Sequence, residues 1–149
     1  MSDGHKAITL LMADDDEDDR MMARSALESS RLANDLRFVV DGEELMDYLL
    51  RRGDYADPAS SPRPGLILLD LNMPRKDGRE ALREMKADPE LRRIPVIVLT
   101  TSKAEQDVLS TYDLGANSYI VKPVTFAQLV STMKTIGEYW FEIVALPGG

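Results

Sequence analysis

The chain of 149 residues is 44% hydrophobic and 30% charged, proportions that are typical of one globular domain. Its formal net charge is −8, and it has no dense basic run, which argues against nucleic-acid binding because that function needs a cationic surface. The absence of cysteine excludes disulfides, thiolate metal sites and cysteine nucleophiles. The polar N-terminus and the lack of a membrane-spanning apolar stretch indicate a cytoplasmic protein.

Short aliphatic runs alternate five times with helical patterns along the chain. Such alternation is typical of a parallel sheet covered by helices on both faces. The predicted fold is therefore an α/β three-layer sandwich with a core at about 8–138 and a C-terminal extension at 139–149. The five predicted strands are 8–13, 36–41, 66–69, 96–99 and 119–121.

Six acidic residues, 14–19, follow the first predicted strand. Asp16 to Asp19 fall in the first turn of the first predicted helix, where negative charge suits the helix dipole. Asp14 and Asp15 lie at the end of the strand and need another explanation. The buried stripe of this helix is predicted to consist of Met21, Met22, Ala26 and Leu27.

The third predicted strand, 66–69, is aliphatic throughout and delivers Asp70 at its carboxyl end, four residues before Pro74. Ligands of open parallel sheets bind beyond this edge of the strands. We therefore consider Asp70 as a site of phosphoryl attachment. A helix N-cap or a turn aspartate is the ordinary alternative, and Asp70 taken alone does not decide between them.

Two more strand ends carry polar residues. Thr100, Thr101 and Ser102 follow the fourth strand, and Ser102 is well placed to cap the next helix. Most lysines are simply exposed, but Lys122 directly follows the buried fifth strand and is followed by proline. The loop 53–64 is long for a compact α/β domain and suggests a surface in use.

If the strand ends meet, Asp14, Asp15 and Asp70 place three carboxylates beside the hydroxyl of Thr100 and the ammonium of Lys122. Packed carboxylates raise one another's pKa unless a cation lies among them, and Mg²⁺ is a cation that binds to carboxylates, water and phosphate. With Asp70 as nucleophile, such a site could form an acyl phosphate. His5, the lone histidine, lies near the N-terminus, so no Ser-His-Asp arrangement is expected.

Five motifs in this order make the chain resemble the receiver domain of two-component response regulators, from about Thr9 to Ile136. They are Asp14-Asp15, the run Asp70 to Pro74 with Asp77-Gly78, Thr100, Tyr119 and Lys122-Pro123. The resemblance implies a flavodoxin-like (βα)5 fold with a five-stranded parallel sheet in the order 2-1-3-4-5. The loop with Pro62-Arg63-Pro64 and the tail 140–147 also resemble single-domain regulators, which implies a phytochrome-type sensor histidine kinase as partner.

The resemblance assigns roles to individual residues. It makes Asp70 the phosphoacceptor, Lys122 the residue that pairs with phosphoryl oxygens, and Thr100 and Tyr119 the switch pair. Asn72 and Ser102 occupy positions that tune hydrolysis of the acyl phosphate. The implied Mg²⁺ ligands are Asp15, Asp70, the backbone carbonyl of Asn72 and, through water, Asp14.

Because three aspartates follow the first strand, the acidic pair could also be Asp15-Asp16. We favour Asp14-Asp15, since Asp16 then starts the first helix and Arg20 falls where receivers often have a basic residue. Thr101 stands where small residues such as alanine are frequent, and it could alter access to the site.

The leading hypothesis is a stand-alone response regulator that acts through protein contact or onward phosphotransfer. Only about a dozen residues follow the fifth predicted helix, so no DNA-binding output domain is expected. A homodimer through this helix and the tail is predicted, with the alternative that the tail folds back on its own domain. The surface would include Phe126, Met133, Trp140, Phe141, Ile143 and Val144.

Two other functions compete with this hypothesis. A Mg²⁺-dependent aspartyl phosphohydrolase usually needs a second acid two residues beyond the nucleophile, and that position is Asn72. A scaffold that is never phosphorylated would not need competent side chains at all five site positions. We therefore expect a phosphoacceptor rather than an enzyme, limited to self-phosphorylation from small donors and self-dephosphorylation.

Overall fold

A computed structural model describes residues 9–29, 35–100, 108, 112–122 and 125–137. Within these residues a five-stranded, fully parallel sheet has the order β2-β1-β3-β4-β5, which confirms the predicted fold class and strand order. None of the described helices has the length and apolar character needed to span a membrane. The strands are β1 (Thr9–Ala13), β2 (Asp35–Val39), β3 (Leu66–Leu69), β4 (Val96–Thr100) and β5 (Ser118–Val121).

Helices pack on both faces of this sheet. One hydrophobic cluster joins Ala23 and Ala26 of the first helix to Val130 of the last, and the other contains Leu45 and Leu82 of the two helices between them. The predicted fourth helix lies mostly outside the described residues. The helices are α1 (Glu17–Ser29), α2 (Gly42–Leu50), α3 (Gly78–Ala87) and α4 (Phe126–Gly137), with 3-10 turns at Gly53–Tyr55, Pro58–Ser60 and Leu91–Arg93.

The central strands are buried on both faces, which explains their unbroken aliphatic sequences. Every residue of β3 and β4 is buried. Successive side chains of a strand point to opposite faces, so Ile67 packs with the α2 and α3 layer while Leu68 packs with the α1 and α4 layer. A strand that has both faces covered needs apolar side chains at each position.

The helix starts are fixed by side-chain caps. The carboxylate of Asp16 accepts hydrogen bonds from the backbone N–H of Asp18 and Asp19, so Asp16 precedes the first turn rather than lying in it as predicted. The prediction that the second strand extends to Asp41 is wrong, because the carboxylate of Asp41 accepts the N–H of Glu44 at the start of α2. Both aspartates make the local bonds that favour this residue at helix N-termini.

The predicted buried stripe of α1 is wrong at Met21, whose side chain is 61% exposed. Ala23 and Ala26 are fully buried instead, while Met22 is partly buried against the same cluster. Two residues correspond to about 200° around a helix, so Met21 faces away from the side on which Ala23 lies. The side chain of Leu27 lies outside the described part of the chain.

The long segment 53–64 is held against α2 by specific contacts. The hydroxyl of Tyr48 donates to the carbonyl of Pro62 at 2.7 Å, and the hydroxyl of Tyr55 donates to Glu44 at 2.7 Å. Arg63 also donates to the backbone of α2 at Leu49. Packing against α2 thus accounts for an ordered path through a segment of this composition.

The start of α3 lies directly against the backbone that follows β3. Gly78 N–H donates to the carbonyl of Leu71 at 2.9 Å, and a Cβ atom on Gly78 would overlap the carbonyl oxygen of Asp70. Only a residue without a side chain allows this approach. The backbone of Asp70 is therefore fixed from behind by α3.

Gly78→Ala should lower the free energy of unfolding by about 1–3 kcal/mol, because the methyl group must displace the backbone at Asp70. At an open helix position the same substitution is usually stabilising, by roughly 0.5–1 kcal/mol. Urea titration followed by circular dichroism measures the change. Unchanged or increased stability would contradict the close approach.

Candidate functional site

The carboxyl ends of four strands bring polar side chains to one place. Asp14 follows β1, Asp70 follows β3, Thr100 ends β4 and Lys122 follows β5. The hydroxyl of Thr100 donates to Oδ1 of Asp70 at 2.8 Å, and Nζ of Lys122 donates to Oδ2 of Asp70 at 3.2 Å. Nζ of Lys122 also lies 2.6 Å from Oδ2 of Asp14. Parallel strands end at the same edge, so residues far apart in sequence share one site.

Asp15 joins this group from the surface. Asp14, Asp15 and Asp70 each offer a carboxylate oxygen, and these oxygens lie within 4.8 Å of one another. Asp14 and Asp70 are buried whereas Asp15 is exposed. Asp16 instead caps α1, so the geometry favours Asp14-Asp15 as the acidic pair.

Asp70 is held on both carboxylate oxygens. Oδ1 accepts the hydroxyl of Thr100 and the backbone N–H of Asn72, the latter at 3.1 Å, while Oδ2 faces the ammonium of Lys122. The side chain of Asp70 is 7% exposed. These contacts fix the carboxylate while leaving a small opening to solvent.

Burial and charge act against each other in this cluster. Burial raises the pKa of Asp14 to about 6, with the charge of Asp70 adding to the rise, although Lys122 and the N–H of Asp16 lower it. Burial lowers the pKa of Lys122, but hydrogen bonds to Asp14 and Asp19 outweigh this effect and raise it above its ordinary value. The ammonium of Lys122 thus stays charged among several acids, an arrangement that a further cation would stabilise.

Asp19 also belongs to the site. From the sequence its charge is explained by the helix dipole alone, so this contact is not predicted. Its Oδ2 lies 2.6 Å from Nζ of Lys122. The neighbouring Arg20 donates to the backbone carbonyl of Asp14 at 2.8 Å. Asp19 lies in the first turn of α1, shortly after the strand end that carries Asp14, and this position was the available signal.

The residues predicted as a switch pair lie on neighbouring strands. Thr100 is fully buried at the end of β4. Tyr119 lies in β5, where it pairs with Val98 of β4. The partly buried ring of Tyr119 packs against the core cluster on the α2 and α3 side. The structure therefore places Thr100 in contact with Asp70, with Tyr119 nearby on the adjacent strand.

Several predicted residues lie beyond the described part of the chain. The structure describes no atoms of Thr101, Ser102 or the tail 138–149, and no side chain of Phe126 or Met133. The role of the Asn72 backbone carbonyl stays a prediction as well. The predicted dimer surface, which comprises Phe126, Met133, Trp140, Phe141, Ile143 and Val144, is therefore untested by the structure.

The comparisons with known proteins agree on one family. A family model described as the response regulator receiver domain matches residues 10–134. Over 138 residues the chain is 42% identical to the response regulator Rcp1 of Synechocystis sp., which covers 93% of this chain and 92% of Rcp1.

Solved structures extend this likeness to the fold. The phosphorylated cyanobacterial phytochrome response regulator RcpA has a TM-score of 0.89 at 43% identity, covering 96% of this chain and 100% of RcpA. The Mn²⁺-bound form of Rcp1 has a TM-score of 0.85 at 41% identity, covering 95% of this chain and 99% of the other. The family model covers most of this chain, and the sheet has the strand order that the resemblance implies. This chain therefore belongs to the response regulator receiver domain family.

Proposed function

We propose that this chain is a stand-alone response regulator that accepts a phosphoryl group on Asp70 from a histidine kinase. The observation that carries the proposal is a pair of hydrogen bonds to the carboxylate of Asp70, from the Thr100 hydroxyl at 2.8 Å and from the Lys122 ammonium at 3.2 Å. Both lie within an acidic cluster at the carboxyl edge of the sheet. The near-complete coverage of Rcp1 and RcpA supports a single receiver unit with its core at about 8–138 and an extension at 139–149.

In the proposed reaction, a carboxylate oxygen of Asp70 attacks the phosphorus of a phosphohistidine. A P–O bond forms as the P–N bond breaks, and the leaving imidazole nitrogen takes up a proton. Lys122 and Thr100 are positioned to bind the oxygens of the transferred group and to neutralise their charge. The product is an acyl phosphate on Asp70.

The donor set fits Mg²⁺. Asp15 and Asp70 would bind the ion directly, Asp14 through water, and the backbone carbonyl of Asn72 would complete the protein ligands. Carboxylates with water and a phosphate are the usual protein ligands of Mg²⁺, and three carboxylates converge here within 4.8 Å. When bound, Mg²⁺ would neutralise charge on the phosphoryl oxygens.

Phosphorylation would act on Thr100 and Tyr119. The hydroxyl of Thr100 now donates to Asp70, and we propose that it turns to a phosphoryl oxygen once one is attached. The ring of Tyr119, packed against the core on the adjacent strand, would follow this movement. The change would reach the surface at β5, where Val121 is exposed.

The proposed partner is a phytochrome-type sensor histidine kinase. The likeness to RcpA, a cyanobacterial phytochrome response regulator, supports this choice. We place the exchange in the cytoplasm, where such a kinase would obtain ATP.

A turnover phosphohydrolase fits the site less well. The residue two positions beyond Asp70 is Asn72, and an amide side chain is not a general acid or base. An unphosphorylated scaffold would not need both Thr100 and Lys122 in contact with Asp70.

We also propose a homodimer formed through α4 and the tail. The support is the sequence pattern, in which Phe126 and Met133 of α4 are followed by the apolar residues Trp140, Phe141, Ile143 and Val144. Aromatic side chains grouped in this way are typical of interface cores.

Incubation with Mg²⁺ and acetyl phosphate or phosphoramidate should add one phosphoryl group, measured as intact mass. Asp70→Asn should show no adduct because it removes the nucleophile, while the control Asp54→Asn, in the surface segment 53–64, should react like the wild type. An adduct on the Asp70→Asn protein would contradict the assignment. Release of phosphate over many turnovers would favour the hydrolase.

Without metal, the free energy of unfolding should fall as the pH rises from about 4 to 6, because burial raises the pKa of Asp14 from 3.8 to about 6. The unfolded chain then releases this proton at lower pH than the folded chain does. The contribution is at most about 3 kcal/mol, at roughly 1.4 kcal/mol per pKa unit. Urea titrations of the wild type and Asp14→Asn at several pH values measure it as their difference, which a pH-independent result would refute. Mg²⁺ should oppose the loss.

Size-exclusion chromatography with light scattering tests the dimer. The full chain should elute as a dimer and a chain ending at Gly137 as a monomer, since the latter lacks the apolar tail. Trp140→Ala should weaken the association in the same direction, whereas Asp54→Asn should not. An oligomeric state that none of these changes alters would defeat the proposal.

A further inference from the structure

Lys122 makes its shortest contacts with Asp14 and Asp19 rather than with Asp70, the proposed phosphoacceptor. Its Nζ lies 2.6 Å from Asp14 and 2.6 Å from Asp19, but 3.2 Å from Asp70. The Lys122 side chain is 11% exposed and that of Asp19 is 33% exposed. Asp19 is thus the more exposed partner of an ammonium that also contacts the buried carboxylates of Asp14 and Asp70.

The helical turn that carries Asp19 is anchored beside the site. Its backbone N–H donates to the capping carboxylate of Asp16 at 3.2 Å, and Arg20 ties the same turn to the backbone of Asp14. On the inner face of α1, Ala23 packs in the cluster that also contacts α4. Asp19 therefore reaches Lys122 from a helix that is anchored at its start and along its length.

We infer that Asp19 is a positioning residue: it draws the Lys122 ammonium toward α1 and so keeps Asp70, which lies 3.2 Å from Nζ, available to a divalent cation. A largely buried ammonium needs carboxylate partners, and without Asp19 the partners left to Lys122 among the described residues would be Asp14 and Asp70. Those two carboxylates belong to the group whose oxygens converge within 4.8 Å. Lysine and cation would then compete for the same oxygens. The inference rests on the proposed function, since it concerns the same site.

Asp19 thus differs from the other acids of the run. Asp18 is exposed on the same helical turn and its backbone N–H also donates to Asp16, but no ion pair to Lys122 is found for it among the described residues. It carries the same charge one residue away. Asp18→Asn is therefore a matched control that removes a charge without removing the contact.

Isothermal titration of the full chain with Mg²⁺ alone tests the inference. Asp19→Asn should weaken Mg²⁺ binding by about three- to tenfold, the scale of one partly exposed charge contact. Asp18→Asn should change the affinity by less than about twofold, because its effect is a screened surface charge. Asp19→Glu, which keeps a carboxylate able to reach Lys122, should restore most of the affinity.

A double-mutant cycle with Lys122→Met separates the contact from simple charge. If Asp19 acts through Lys122, Asp19→Asn should have less than half its effect in the Lys122→Met protein. Equal effects of Asp19→Asn and Asp18→Asn, or an undiminished effect without Lys122, would overturn the inference. Urea titration of each variant establishes that it is folded. Failure of the wild type to bind Mg²⁺ would instead count against the proposed function.

Discussion

The ammonium of Lys122 among buried carboxylates is the interaction on which this site depends. Asp14 and Asp70 are almost entirely removed from water, and isolated charges in such surroundings are costly unless they are paired. One lysine lies within 3.2 Å of both and is shared with Asp19. Among the described residues, carboxylates therefore outnumber the ammonium in this cluster, a condition that suits a protein whose role is to receive a cation and a phosphoryl group together.

The parallel sheet makes this concentration of charge possible. The order β2-β1-β3-β4-β5 places the ends of β1, β3, β4 and β5 side by side, so each strand can deliver one polar residue to the same edge. The aliphatic strands beneath exclude water from Asp14 and Thr100. Fold and site are therefore linked, because apolar strands are followed by polar residues at the carboxyl edge of the sheet.

The sequence was sufficient for the fold and for most of the residues that meet at the site. Strands buried on both faces are readable as aliphatic runs, and the residue after each run is known once the sheet is parallel. Asp19 was missed because six acids in a row look alike, and its partner Lys122 lies 103 residues away. The prediction for Met21 is wrong because the inner face of α1 is formed by two alanines. These are only weakly hydrophobic, so the sequence pattern does not show which side of the helix is buried.

Two glycines pack closely against the backbone of the segment between β3 and α3. Gly42 N–H donates to the carbonyl of Lys76 at 2.8 Å, and Gly78 lies against the carbonyl of Asp70. One flank of the acidic cluster is thus closely packed backbone. A bulky anion gained by the cluster would therefore be accommodated by the residues at the ends of β4 and β5, Thr100 and Lys122. Glycine packing on one side of the sheet would thereby give the molecule a preferred direction of deformation.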